Sequence, residues 1–154
     1  MTRQNIRYEK GSCVPLTNEL LNEIVNTSSL DNFFATNHVN KYTLCDYLAI
    51  LLETKGLKQA EVIKLAGVNY TYAYEIFKGK KTSPSRDIVI MLAIAMKCNL
   101  DETNRLLKIS NNSPLYSKSK RDVILIYAIL HEYSILDTNS ELHRFGQSLL
   151  GDLS

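Results

Sequence analysis

Gln59-Ala-Glu-Val-Ile-Lys-Leu-Ala-Gly67-Val-Asn69-Tyr-Thr-Tyr-Ala-Tyr-Glu-Ile-Phe77-Lys-Gly79-Lys-Lys81 is the stretch on which the fold turns. It reads as two helices of about two turns each, over about 58–66 and 70–78. Ala60, Val62, Ile63 and Ala66 form the inward stripe of the first. Gly67 ends it, because glycine takes the left-handed conformation after a helix at little cost. Asn69 is placed to cap the second, its side chain accepting from an otherwise orphaned first-turn amide. Ala60 and Ala66 are small enough to let the two helices approach, and Val68 and Ile76 fill the space beneath the second.

The pattern extends in both directions. Upstream, Leu44, Tyr47, Leu48, Leu51 and Leu52 recur at helical spacing and stop at Lys55-Gly56. Downstream, Lys80-Lys-Thr-Ser-Pro-Ser is a loop, and Ser85 caps a helix over Arg86–Lys97. A further helix follows from about Asp101 to Ile109. Near the N-terminus, Leu20, Leu21, Ile24 and Val25 make one modest stripe, and a short helix covers Leu30–Thr36. Residues 121–145 repeat residues 86–110 at an offset of 35, with Arg, Asp, Ala, Ile, Thr, Asn and Leu identical at 7 of 25 positions. The expected meaning is a duplicated helical hairpin. The chain is thus expected to be all-α, a helical core with extra N- and C-terminal helices. Its parts are an arm over 1–40, a core over 41–110, and a hairpin over 111–154 packed on the core.

Composition agrees with helices. Only 6 Gly and 3 Pro in 154 residues leave little room for the turns of an all-β fold. With 45% hydrophobic and 22% charged residues the chain is globular in character. The net charge of +2 is uninformative as a total, but its distribution is not. Residues 41–84 hold 7 basic and 4 acidic side chains, while residues 1–40 and 111–154 each come to −1. An anionic partner is therefore expected at the central segment, where Lys78, Lys80 and Lys81 supply most of the excess.

Two short helices joined by a tight glycine turn form a helix-turn-helix, whose second helix can enter the DNA major groove. The phrase from Gln59 to Asn69, Lys78-Gly79-Lys80, then Pro84 and a long apolar helix resembles the XRE family of lambda-repressor-like regulators over about residues 43–110. The resemblance implies contacts residue by residue. Gln59 matches a position that hydrogen-bonds a DNA phosphate. Lys78, Lys80 and Lys81 match the loop that grips the backbone. Tyr70, Thr71, Tyr72 and Glu75 match base-reading positions on the recognition helix. It also implies double-stranded DNA as partner and a homodimer on a two-fold site. The whole-chain arrangement, including Asp101-Glu-Thr-Asn, Pro114-Leu-Tyr and Arg121-Asp, resembles a bacterial subgroup encoded near serine/threonine kinases. That similarity implies a protein partner such as a kinase.

The recognition helix departs from the family. It carries three tyrosines and Glu75, and no Arg, Lys, Asn or Gln between Tyr70 and Phe77 to make bidentate base contacts. Tyr70 and Tyr74 lie one turn apart and form an aromatic surface that suits a protein as well as a duplex. A DNA-binding regulator and a protein-binding adaptor therefore both remain open. Enzyme motifs are missing: there is no G-x-G-x-x-G, P-loop, G-x-S-x-G or H-E-x-x-H. His38, His131 and His143 have no ligand spacing, so neither metal nor cofactor is expected. Cys13, Cys45 and Cys98 lie far apart and read as small buried hydrophobes of a reducing compartment. With no secretory leader and no apolar run of about 18 residues, a cytoplasmic protein without a membrane span is expected. Arg86-Asp87 and Arg121-Asp122 read as helix-start acids beside solvated or salt-bridged arginines.

Overall fold

The computed structural model describes residues 17–36 and 42–151, and every regular element among them is a helix. Cys13 and His38 lie outside the described residues. Two compact units divide the chain, residues 1–42 and 43–154. The first contains α1 (Thr17–Asn26) and α2 (Leu30–Thr36). Leu21, Ile24 and Val25 of its expected apolar stripe are exposed, as is Phe34, whose ring meets that of Phe33 edge-on at 5.8 Å.

The second unit runs α3 (Leu44–Lys55), α4 (Gln59–Ala66), α5 (Tyr70–Phe77), α6 (Arg86–Ala95), α7 (Leu100–Ile109), α8 (Lys120–Leu130) and α9 (Ile135–Arg144). Its core is that of a lambda-repressor-like fold. Thr43 opens α3 with a capping box, its hydroxyl accepting from the Asp46 amide while the Asp46 carboxylate accepts from the Thr43 amide. Gly56 and Gly67 end α3 and α4 in the left-handed region, at φ 65° and 71°. Asn69 and Ser85 cap α5 and α6 through their side chains, as their positions in the sequence predict.

α6 is the hub. Val89 through Ala95 are all buried, and the helix packs against α4, α7 and α9. Its β-branched residues each cost a few tenths of a kcal/mol in helix propensity, whereas burying each one stabilises by about 1.5–3 kcal/mol. Burial decides. The helix stops at Ala95, short of the expected Lys97, because Met96 caps it and Lys97 turns left-handed at φ 54°. Ala60 also differs from expectation: it is exposed. At 3.6 residues per turn it falls well away from the face shared by Val62, Ile63 and Ala66, which are buried.

The 35-residue repeat is visible in the backbone. Lys97 and Glu132 share a φ of 54°, and Asn111 and Gly146 have φ of 65° and 69°. Thr103 and Thr138 each donate to the helix-capping carbonyl four residues earlier, of Asn99 and Ser134. Asn104 accepts from the Leu115 amide at 2.9 Å, and Asn139 from the Leu150 amide at 2.7 Å. The correspondence therefore reaches past the matched sequence into the tail of each hairpin.

Two crossed ion pairs join the copies. Arg86 forms a two-pronged contact to Asp122 (Nη1–Oδ1 2.8 Å, Nη2–Oδ2 2.7 Å), and Arg121 forms one to Asp87 at 3.0 Å on both prongs. Each arginine also donates to its own hairpin's tail, Arg86 to the carbonyls of Ser113 and Pro114, Arg121 to those of Ser148 and Leu149. Burial alone would push the Asp122 carboxyl up. The Arg86 hydrogen bonds, the Tyr116 amide and the two arginine charges outweigh it, holding Asp122 below the ordinary carboxylate range.

Candidate functional site

α5 divides its side chains cleanly between core and surface. Ala73 and Ile76 are buried, and Tyr72 and Phe77 pack partly against the core. Tyr70, Thr71 and Tyr74 face solvent, with Tyr70 57% and Tyr74 40% exposed. The Tyr70 and Tyr74 rings stack at 6.1 Å with 14° between their planes. Lys78 then lays its Nζ 5.1 Å from the Tyr74 ring centroid, inside cation–π range. Tyr70, Tyr74 and Lys78, at successive turns, make one ladder that ends in a positive charge.

The remaining lysines are placed by a turn. Gly79 adopts φ 86°, and a Cβ there would come within 2.9 Å of Cys45 Sγ on α3. Past it the chain folds back, so that the amides of Lys80 and Lys81 both donate to the Glu75 carbonyl, at 2.9 and 3.3 Å. Lys81 Nζ sits 5.8 Å from the Tyr72 ring centroid. Lys78, Lys80 and Lys81 thus leave the C-terminal end of α5 as exposed cations, on a turn fixed by Glu75 and Gly79. The Glu75 side chain is half-buried.

Gln59 is the first residue of α4 and is half-buried. Lys58 before it is the N-cap residue and makes no side-chain cap hydrogen bond. An ammonium cannot accept from the first-turn amides, and a cation opposes the positive end of the helix dipole. Such a terminus is unfavourable in isolation and becomes favourable once an anion lies over it. The sequence reading did not single out Lys58. Its signal was present all the same, as a basic residue where a Ser, Thr, Asp or Asn is usual.

The expected site residues therefore occupy one helix-turn-helix: Gln59 at the start of α4, Tyr70, Thr71, Tyr72, Tyr74 and Glu75 on α5, and Lys78, Lys80 and Lys81 just beyond it. α3 packs on α5, and α4 packs on both α5 and α6, so the α4–α5 pair is set on the rigid hub. Among the described residues no group of three or more His, Cys, Asp or Glu side chains is arranged to hold a metal ion. No helix of the described residues is long and apolar enough to cross a membrane. Cys98 is buried and its thiol is pushed up to about 12 by that burial, which keeps it protonated and inert. His131 caps α8, its Nδ1 2.9 Å from the Tyr127 carbonyl.

Comparison with known proteins yields one match. The Helix-turn-helix family model matches residues 48–102, from within α3 to the first turn of α7. No curated protein and no solved structure matches the chain significantly.

Proposed function

We propose that the chain, whose residues 48–102 match the Helix-turn-helix family model, is a transcriptional regulator of the XRE family that binds double-stranded DNA and performs no catalysis. α5 enters the major groove. Gln59 and the open N-terminus of α4 hold one phosphate, and Lys78, Lys80 and Lys81 hold others beyond the end of α5. Tyr70, Thr71, Tyr72, Tyr74 and Glu75 face the bases. Along the sequence the chain comprises an arm over 1–40, the helix-turn-helix domain over 41–110 and a hairpin over 111–154, and the protein acts in the cytoplasm.

The turn that gathers three exposed lysines behind the exposed face of α5 carries this reading. Lysines are point charges suited to phosphate and supply affinity without sequence information. Changing Lys78, Lys80 and Lys81 together to Ala should weaken binding to every duplex alike. The slope of log affinity against log salt should shrink by about 2–3, as expected for roughly three lost phosphate contacts. Fluorescence polarisation on random and selected duplexes reads both effects. Unchanged affinity in the triple variant would overturn the assignment.

One observation favours a second reading. The stacked Tyr70–Tyr74 pair is largely exposed, and α5 offers no Arg, Lys, Asn or Gln to base edges. Such a surface fits an adaptor that binds a protein, for example a serine/threonine kinase, through the same helix. The two readings separate at low salt, where the non-specific electrostatic attraction of a DNA binder is strongest. Absence of any duplex binding there would favour the adaptor.

A further inference from the structure

The duplication leaves one face of the second hairpin without the cover that the first hairpin has. In the first copy, Leu92, Ala95, Cys98 and Ser110 are buried, and α3 and α4 lie against the α6–α7 hairpin. Their counterparts at the 35-residue offset are Tyr127, Leu130, Tyr133 and Phe145. Tyr127, Leu130 and Phe145 are exposed by 51%, 62% and 40%. Tyr127 and Phe145, with Val123 and Ile124, line an open groove of about 570 Å³ between α8 and α9, while Leu130 is exposed on α8 outside it. The substitutions follow a pattern: three of the four aliphatic or small residues of a covered face have become aromatic, and Tyr127 and Tyr133 carry the polar tip that suits a surface alternately wet and buried.

Spacing and charge indicate what fits there. Lys120, Val123, Tyr127 and Leu130 recur at intervals of 3, 4 and 3 residues, the seam spacing of helix pairs. Val123 is 46% exposed, so the seam is open along the length of α8. Its ends are charge-complementary to each other. Lys120 stands at the N-terminal end, while the C-terminal end offers carbonyl groups and Glu132. A seam with opposite charges at its two ends matches itself when one copy is turned end to end.

We propose that this face binds a second copy of the chain, the two α8 helices packing antiparallel about a two-fold axis. Val123 of each copy meets Leu130 of the other, the Tyr127 rings lie near the axis, and each Lys120 reaches the C-terminal end of the opposite α8. The contact is isologous, so one surface serves both copies. The pairing deepens the DNA-binding reading and takes its purpose from it, because a two-fold dimer presents two recognition helices to a two-fold site.

The test is made on the full chain without DNA, so that its result is separate from duplex binding. Light scattering after size exclusion, and sedimentation equilibrium, should show a dimer that dissociates on dilution. V123R/L130R places like charges opposite each other and should weaken self-association by about 100-fold or more. V123E/L130R changes the same two exposed positions but sets opposite charges face to face across the antiparallel pair, and should remain dimeric. Circular dichroism identical to the parent chain confirms that both variants are folded. A parent chain that is monomeric up to about 200 µM, a concentration at which even a weak interface shows, would overturn the proposal. So would two variants that behave alike, whether both dimeric or both monomeric.

Discussion

Asp122 sits where two copies of one hairpin exchange charge, and it is buried to within 5% exposure. Its carboxyl is held low in the folded protein, chiefly by Arg86 once the opposing cost of burial is met. A carboxyl that binds its proton more weakly when folded than when unfolded stabilises the native state above the unfolded value, near pH 4. That stabilisation is lost as pH falls through the lower folded value. Asp122→Asn should therefore cost about 2–3 kcal/mol at pH 7, where it leaves the Arg86 charge poorly paired. The gap between variant and parent should narrow towards pH 3 in urea unfolding followed by circular dichroism. A gap that stays constant from pH 7 to pH 3 would show that the charge of Asp122 is not the source. The sequence made the acid legible as a helix-start residue beside an arginine, either solvated or salt-bridged. It did not reveal that each arginine pairs with the other copy's aspartate, because that depends on how the two hairpins meet in space.

Among the elements, α5 concentrates both the evidence for a function and the tension within it. Of its core-facing side, Ile76 was readable in the sequence and Ala73 was not singled out; its cap at Asn69 was readable too. Beside its outward tyrosine ladder and Lys78 stands the half-buried Glu75, an acid proposed to face the bases close to the lysines that hold phosphates. Glu75→Gln keeps the size and the backbone carbonyl that orders the lysine turn, and removes only the charge. It should tighten duplex binding at low salt by about 2- to 10-fold across all sequences, less at high salt where the repulsion is screened. Equal affinity of parent and variant would place that carboxylate away from the DNA backbone. Helix ends were harder to read than helix faces. α6 closes two residues early on a left-handed lysine, and Ala60 looked inward only because small apolar residues carry no directional mark.

At the scale of the molecule, residues 43–154 form one compact unit although they contain both the recognition helices and the duplicated hairpin. α9 packs on α6 and on α8, with Leu142 fully buried at the join. Leu142→Ala should cost about 2–5 kcal/mol through lost burial and the cavity left behind. Because the unit shares one core, duplex binding and the helical signal should be lost together at a single, lower urea midpoint. Two separated transitions, with binding surviving the first, would instead mark the hairpin as independent. The repeat that makes this architecture was visible in 7 of 25 identities. Its true length was not, since the matching places of Leu115 and Leu150 show in their hydrogen bonds to Asn104 and Asn139 rather than in a run of sequence identity around them.

The crossed arginine–aspartate pairs also bear on how such a chain can change over generations. A duplicated segment is ordinarily the most dispensable part of a protein, because its parent is still present. Here each copy has given its arginine and its aspartate to the other, so deleting the newcomer strands Arg86 and Asp87 at the start of the hub helix. Redundancy has been converted into dependence: a deletion confined to the second hairpin removes partners on which the first relies.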